Sequence, residues 1–260
     1  MSVETIPSSS PEYPAALRDL RSPPRTLWAT GDRTLLDAPI VAIVGTRRTS
    51  AYGERITREL AASLARAGAC IVSGMALGID SIAHRATLDA NGRTIAVLGT
   101  GVDVAYPRAH VALHREIAEK GLLLSELAPG ASSHKGSFPN RNRIIAALAR
   151  LVIIAEAPIR SGALITAGHA LELGRDIAVV PGPIDSPHCA GSNELLLSGA
   201  HPIVSIADAI TLAGLTPQRR TGPVIEDEIE MRIWRALETG AASLDELCAR
   251  AELPVARCLA

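Results

Sequence analysis

The chain has 260 residues, 47% of them hydrophobic and 20% charged, enough for a sizeable core and inconsistent with global disorder. A formal net charge of −1 excludes a polycation that coats nucleic acid indiscriminately. Eight acids and four arginines fall in residues 221–260, leaving 22 basic and 19 acidic residues before them. Only Lys120 and Lys135 are lysines, so any anion site rests on arginine, whose planar fork suits phosphate and stacks on bases.

Residues 1–36 are rich in Pro and Ser and are expected to be irregular. They carry no apolar signal core, and no later run reaches the roughly 18 apolar residues of a membrane span. Cys70, Cys189, Cys248 and Cys258 are widely spaced without a C-x-x-C pair, which fits reduced thiols and argues against structural zinc. The expectation is a cytoplasmic protein with no metal, no cofactor and no membrane contact.

Short β-branched or aliphatic runs predict buried strands at 40–44, 71–72, 94–98, 122–125, 151–155 and 177–180. Helical spacing separates them, as in Ile56, Leu60 and Leu64, in Ile144 and Leu148, and in Leu164, Ala167 and Leu171. Apolar strands alternating with helices predict a Rossmann-like, doubly wound, mostly parallel α/β sheet with helices on both faces over 37–213. Residues 214–223 have linker composition. In 224–260, Ile225, Ile229, Ile233 and Leu237 mark one helix, Ser243 to Glu246 a capping box, and Pro254 the first turn of a third helix. This is a partial, winged-helix-like helix-turn-helix unit.

Ligands of such a sheet bind beyond the carboxyl ends of the strands. There the chain reads Gly45-Thr46-Arg47-Arg48-Thr-Ser50-Ala-Tyr52-Gly53, then Ser73-Gly74-Met-Ala-Leu-Gly78-Ile-Asp80, then Gly99-Thr-Gly101 running to Tyr106-Pro107. Later loops hold Lys135-Gly-Ser-Phe138-Pro-Asn140-Arg141-Asn142-Arg143 and Arg160-Ser161-Gly162 to Thr166. Glycine loops opening helices can cradle phosphates, although any one of them alone could be only a tight turn. Arginines and hydroxyls in the same loops favour a phosphate-binding edge. Tyr52, Tyr106 and the single phenylalanine, Phe138, all lie there. Phe138 is either a stacking platform for unpaired bases or an anchor of its loop, and Tyr106 has the stronger structural reading. Asp80 and His84 could form an acid–base pair, but Asp80 is expected to cap its helix. Glu126 and Glu156 end strands, either as catalytic carboxylates or as holders of loop amides. Gly53, Gly74, Gly78, Gly99 and Gly101 are expected to shape the loops.

At these motifs the chain resembles the DNA-processing protein A family (DprA/Smf). The family's Gly-Ser-Arg-x-x-Ser-x-Tyr-Gly appears at 45–53 with Thr46 for serine. Its Ser-Gly-x-Ala-x-Gly-Ile-Asp lies at 73–80, and Leu-Gly-x-Gly-x-Asp-x-x-Tyr-Pro at 98–107. Phe-Pro-x-Arg-Asn-Arg-Ile-Ile follows at 138–145, and Ser-Gly-x-Leu-x-Thr-Ala at 161–167. The resemblance spans about residues 12–213. It implies a non-enzymatic homodimer that binds single-stranded DNA and loads RecA recombinase in natural transformation. Gly45, Arg47 and the Ser161-Gly162 turn would then contact phosphate, Phe138 would stack on a base, and Lys135 would lie beside the strand. The family often has a helical N-terminal domain and a complete C-terminal winged helix; the first has no counterpart in this sequence and the second only a partial one. Two other classes compete. A phosphoribohydrolase-like nucleotide enzyme would need a Pro-Gly-Gly-x-Gly-Thr-x-x-Glu loop, and residues 160–172 lack that spacing. A nucleotide sensor would use the same cradle for a free ligand.

Overall fold

In a computed structural model, residues 2–134, 136–216, 227–238 and 243–258 are described. The chain divides into two compact units, Met1–Pro217 and Gln218–Ala260. The first is built on one nine-stranded sheet. Its strands are β1 (Glu4–Pro7), β2 (Thr26–Gly31), β3 (Ile40–Gly45), β4 (Cys70–Ser73), β5 (Arg93–Val97), β6 (Leu122–Ser125), β7 (Leu151–Glu156), β8 (Asp176–Val179) and β9 (His201–Pro202). They lie in the order β1-β2-β6-β5-β4-β3-β7-β8-β9. From β6 to β9 every pairing is parallel, while β1 and β2 run antiparallel on the β6 edge.

The helices of this unit are α1 (Ala51–Arg66), α2 (Ile79–Asp89), α3 (Val111–Lys120), α4 (Ser137–Leu148), α5 (Gly162–Glu172), α6 (Ala190–Leu197) and α7 (Ile206–Leu212). Strand residues alternate between faces, so both faces of these aliphatic strands need cover. On one, Ala42, Val44, Val72, Val97, Val152 and Ile154 pack with Ile144, Ile145 and Leu148 of α4 and Ala163, Ala167 and Ala170 of α5. On the other, Val41, Ile43, Ile71, Leu151 and Ile153 pack with Leu60 and Leu64 of α1, Ile79 and Ala83 of α2, and Ile210 of α7. Among the described residues no helix is long and apolar enough to cross a membrane.

The doubly wound parallel sheet is the one expected, with three differences. Residues 1–36 are not irregular. They supply β1 and β2, and Ile6, Leu27 and Ala29 are buried in the core. Pro-rich flanks mask both strands in the sequence, and β2 pairs along an otherwise open β6. β9 is only two residues long, too short to carry a pattern. In α5 the buried face is Ala163, Thr166, Ala167 and Ala170, and Leu171 is 73% exposed rather than in line with Leu164.

The second unit contains α8 (Glu228–Glu238), α9 (Leu244–Ala251) and α10 (Val255–Cys258). The Ser243–Glu246 capping box forms in both directions, and Pro254 directly precedes α10. Of the 214–223 linker, 217–223 lies outside the described residues, as does Ile225.

Candidate nucleic-acid interface

Strand order reverses between β3 and β7. From β3 the chain winds outward through β4, β5 and β6, then returns to β7 on β3's other side. The loops after β3 and β7 therefore part at this point and leave a crevice. A cleft of about 630 Å³ opens there, lined by Thr46, Arg47, Arg48, Phe138, Asn142 and Ser161 among others.

One buried carboxylate holds the β3 loop. Glu156, 1% exposed at the end of β7, accepts the Ser50 amide at 2.9 Å, the Ser50 hydroxyl at 2.6 Å and the Thr49 hydroxyl at 3.1 Å. Its backbone carbonyl takes the Thr46 amide at 2.7 Å. Ser50 caps α1 by accepting from Gly53 N at 3.0 Å, and a side chain at Gly53 would collide with the Glu156 carboxylate. Of the two sequence readings of Glu156, holder of loop amides is the one the structure bears out. Ser50, expected at the DNA surface, is committed to the loop. Thr46 is likewise 7% exposed, its hydroxyl accepting from Arg48 N at 3.2 Å. The result is a rigid turn that leaves Arg47 and Arg48 exposed at the mouth.

The next loop is packed against this one. Ile79 N donates to Thr46 O at 3.1 Å, and Gly78 adopts φ +78° with that carbonyl where a Cβ would stand. Only glycine fits both conditions. Gly78 precedes α2, so Asp80 is not the cap expected of it. Its carboxylate instead turns back to accept from Gly74 N at 3.1 Å and Ala76 N at 3.4 Å. Burial raises the Asp80 pKa; the Arg141 guanidinium and these amides pull against that rise. His84 is fully buried, with Nδ1 2.7 Å from the Thr94 hydroxyl, which itself donates to Ile71 O. Burial and the Arg141 charge hold its pKa down at about 3. The pair is not arranged for acid–base exchange.

Helix α4 contributes both walls and floor. Phe138 in its first turn lies across Gly99, where no side chain could fit. Its ring centroid is 5.3 Å from that of Tyr106, and the Arg47 guanidinium carbon sits 5.5 Å above it. Tyr106 is 47% exposed, with its ring beside Phe138 and a cis peptide bond joining it to Pro107. A cation beside an aromatic ring at a cleft mouth is suited to meeting a phosphate and an unpaired base of one strand.

The remaining basic residues of the Asn-Arg-Asn-Arg run do other work. Arg141 is 3% exposed, and its guanidinium donates to the carbonyls of Gly74 and Val97. Any side chain on Gly74 would overlap it. Burial lowers its pKa to about 10, with the Asp80 charge opposing. Arg143, also expected at the strand, pairs with Glu126, and Asn140 joins both, donating to Glu126 at 3.0 Å and accepting from Arg143 at 3.1 Å. Glu126 is thus an ion-pair partner rather than a catalytic group. Asn142 bridges to the β7 loop by donating to Gly162 O at 3.2 Å. Ser161 caps α5 through Ala163 N at 3.3 Å, following Arg160 in left-handed backbone at φ +62°. Thr166 lines the wall at 1% exposure. Gly101 donates to Ala131 O at 2.8 Å, bracing the β5 loop. Lys135 lies outside the described residues.

The sequence pointed to neither Pro187 nor His188, which close the far side of the cleft. His188 Nδ1 donates to Arg48 O at 3.1 Å. Their loop has no glycine–arginine signature, and only its place after β8 signalled it. No group of three or more His, Cys, Asp or Glu side chains is gathered for a metal among the described residues.

Comparison with known proteins bears on this arrangement. The model of the family described as DNA recombination-mediator protein A matches residues 4–214. A DNA processing protein DprA of Mycobacterium tuberculosis, described as putative, is 43% identical over 86% of this chain, and the chain spans 60% of that relative's length. The X-ray structure of DNA processing protein A from Streptococcus pneumoniae superposes with a TM-score of 0.78 at 41% identity, covering 81% of this chain and 74% of the other. Its Helicobacter pylori counterpart, described for a single-stranded DNA binding mode, gives 0.74 at 38% identity, covering 81% and 94%. The switch-point cleft, its signature loops and these matches agree: the chain belongs to the DNA recombination-mediator protein A (DprA/Smf) family.

Proposed function

We propose that this chain binds single-stranded DNA in the switch-point cleft without altering it chemically. The observation that carries the reading is the Arg47 guanidinium 5.5 Å from the centroid of the Phe138 ring, itself beside the Tyr106 ring, at the mouth of the cleft. Arg47 and Arg48 meet the phosphates, Ser161 and Gly162 approach one from the opposite wall, and Phe138 with Tyr106 stacks bases. Duplex DNA keeps its bases inside the stack and cannot use the rings. Lys135 belongs to the same proposed surface.

By family, the bound strand is one to be handed to RecA recombinase in the cytoplasm during transformation or recombination, by a homodimer. The C-terminal unit, 224–260, is read as a partial winged helix.

Competition binding tests the cleft reading. A labelled single strand is challenged with unlabelled single strand, duplex and mononucleotides at fixed salt, with Arg47→Ala alongside. Single strand should compete best, and Arg47→Ala should weaken binding and flatten its salt dependence. Displacement by mononucleotides at equal concentration would shift the reading to a nucleotide enzyme or sensor.

A further inference from the structure

A second, smaller cavity of about 260 Å³ lies outside the cleft, between α1, α2 and the start of α3. It is lined by Arg58, Ser81, Ile82, Arg85, His110 and Leu113 among others. No carboxylate lines it. Arg58 pairs with Glu54 at 2.8 Å and Arg85 with Glu116, but those arginine side chains remain 50% and 38% exposed. The Arg58–Glu54 pair is exposed and the Arg85–Glu116 pair partly so, and pairs open to solvent are weak and salt-screened, so either guanidinium can exchange its carboxylate for a phosphate.

Two short segments join this notch to the cleft. In the loop between β4 and α2, Ala76 lines the cleft while the Met75 carbonyl accepts from His110 Nδ1 at 2.9 Å in the notch. Leu77, next to Ala76 in the same loop, is 48% exposed. In the segment after β5, the Tyr106 ring meets Phe138 at the cleft, and His110 four residues later lines the notch. Arg108 between them is exposed. These two segments therefore bring aromatic, apolar and cationic groups to both cavities. Among the described residues Arg58 is held by its ion pair with Glu54 and Arg85 by its ion pair with Glu116.

We propose that a single strand leaving the cleft crosses the 75–78 loop and seats its next phosphates in this notch on Arg58 and Arg85. The inference rests on the cleft reading above and extends the footprint of that site.

The test uses the full chain and a ladder of oligodeoxythymidines from about 4 to 16 nucleotides, the range of single-strand site sizes. Wild type, R58A/R85A, R58K/R85K and R47A are titrated at several salt concentrations. For R58A/R85A the shortest strands should bind as they do to wild type. Beyond a threshold length, binding should weaken and the log K against log salt slope should flatten by about 1.4, at roughly 0.7 per phosphate on a single strand. R58K/R85K should keep the steeper slope. Equal weakening at every length, or none at any length, overturns the notch. If R47A leaves the shortest strands unaffected, the cleft reading itself fails, and the two failures are distinguishable.

Discussion

Replacing Arg141 by methionine separates a structural arginine from a DNA ligand. The guanidinium is 3% exposed, donates to the carbonyls of Gly74 and Val97, and offsets the buried Asp80 charge. Methionine keeps much of the volume and removes every one of those interactions. Breaking a buried charge pair from one side costs about 3–5 kcal/mol, because the partner is left uncompensated. Asp80 retains the Gly74 and Ala76 amides, which places the expected loss near the lower end, about 3 kcal/mol. Adding Asp80→Asn should recover part of it, with a coupling of about 1–3 kcal/mol, since the neutral amide no longer needs a counter-charge. Urea unfolding with linear extrapolation reads both numbers, and an unchanged slope would show that the unfolded states are comparable. A loss below about 1 kcal/mol, with single-strand affinity and salt slope reduced as for Arg47→Ala, would refute the reasoning and return Arg141 to the DNA surface.

Two further outcomes are expected. Phe138→Ala should weaken single-strand binding by about 1–3 kcal/mol per stacked base while leaving the salt slope unchanged, measured by fluorescence anisotropy across a salt series. His84 titrates near pH 3 in the folded protein and near 6.5 when free, so between those values the unfolded chain binds the proton. Its contribution is full above pH 6.5 and drains at up to about 1.4 kcal/mol per pH unit as pH falls towards 3. Asp80, its pKa raised by burial, acts in the opposite sense, so the comparison needs a variant that keeps it. Chemical unfolding from pH 7 to 4 should show His84→Asn losing less stability on acidification than wild type.

The central sheet was legible because each buried strand is a short, continuous aliphatic run with a glycine loop after it. β1 and β2 were not, since Glu4–Pro7 is brief and Pro-bounded, and their order comes from tertiary pairing, β2 on β6 and β1 on β2. In the site, Arg47 and Phe138 were legible from residue type and loop position. Arg141 was expected at the DNA surface, and it lines the cleft from a buried position, 3% exposed. A periodic signal was nonetheless present: residues 141, 144, 145 and 148 follow the i, i+3, i+4, i+7 stripe of a buried helix face, and all four are buried. Tyr106 meets Phe138, and His188 reaches the cleft, through tertiary packing between distant loops, which spacing along the chain does not encode.

Photocrosslinking locates the bound strand on the protein. A single strand carrying 5-iododeoxyuridine is bound to the full chain, irradiated, and the adducts mapped by mass spectrometry. Adducts at Phe138 and Tyr106, lost when unlabelled single strand competes, are the predicted result. Adducts confined to surfaces away from these rings would contradict a single strand stacked in the switch-point cleft.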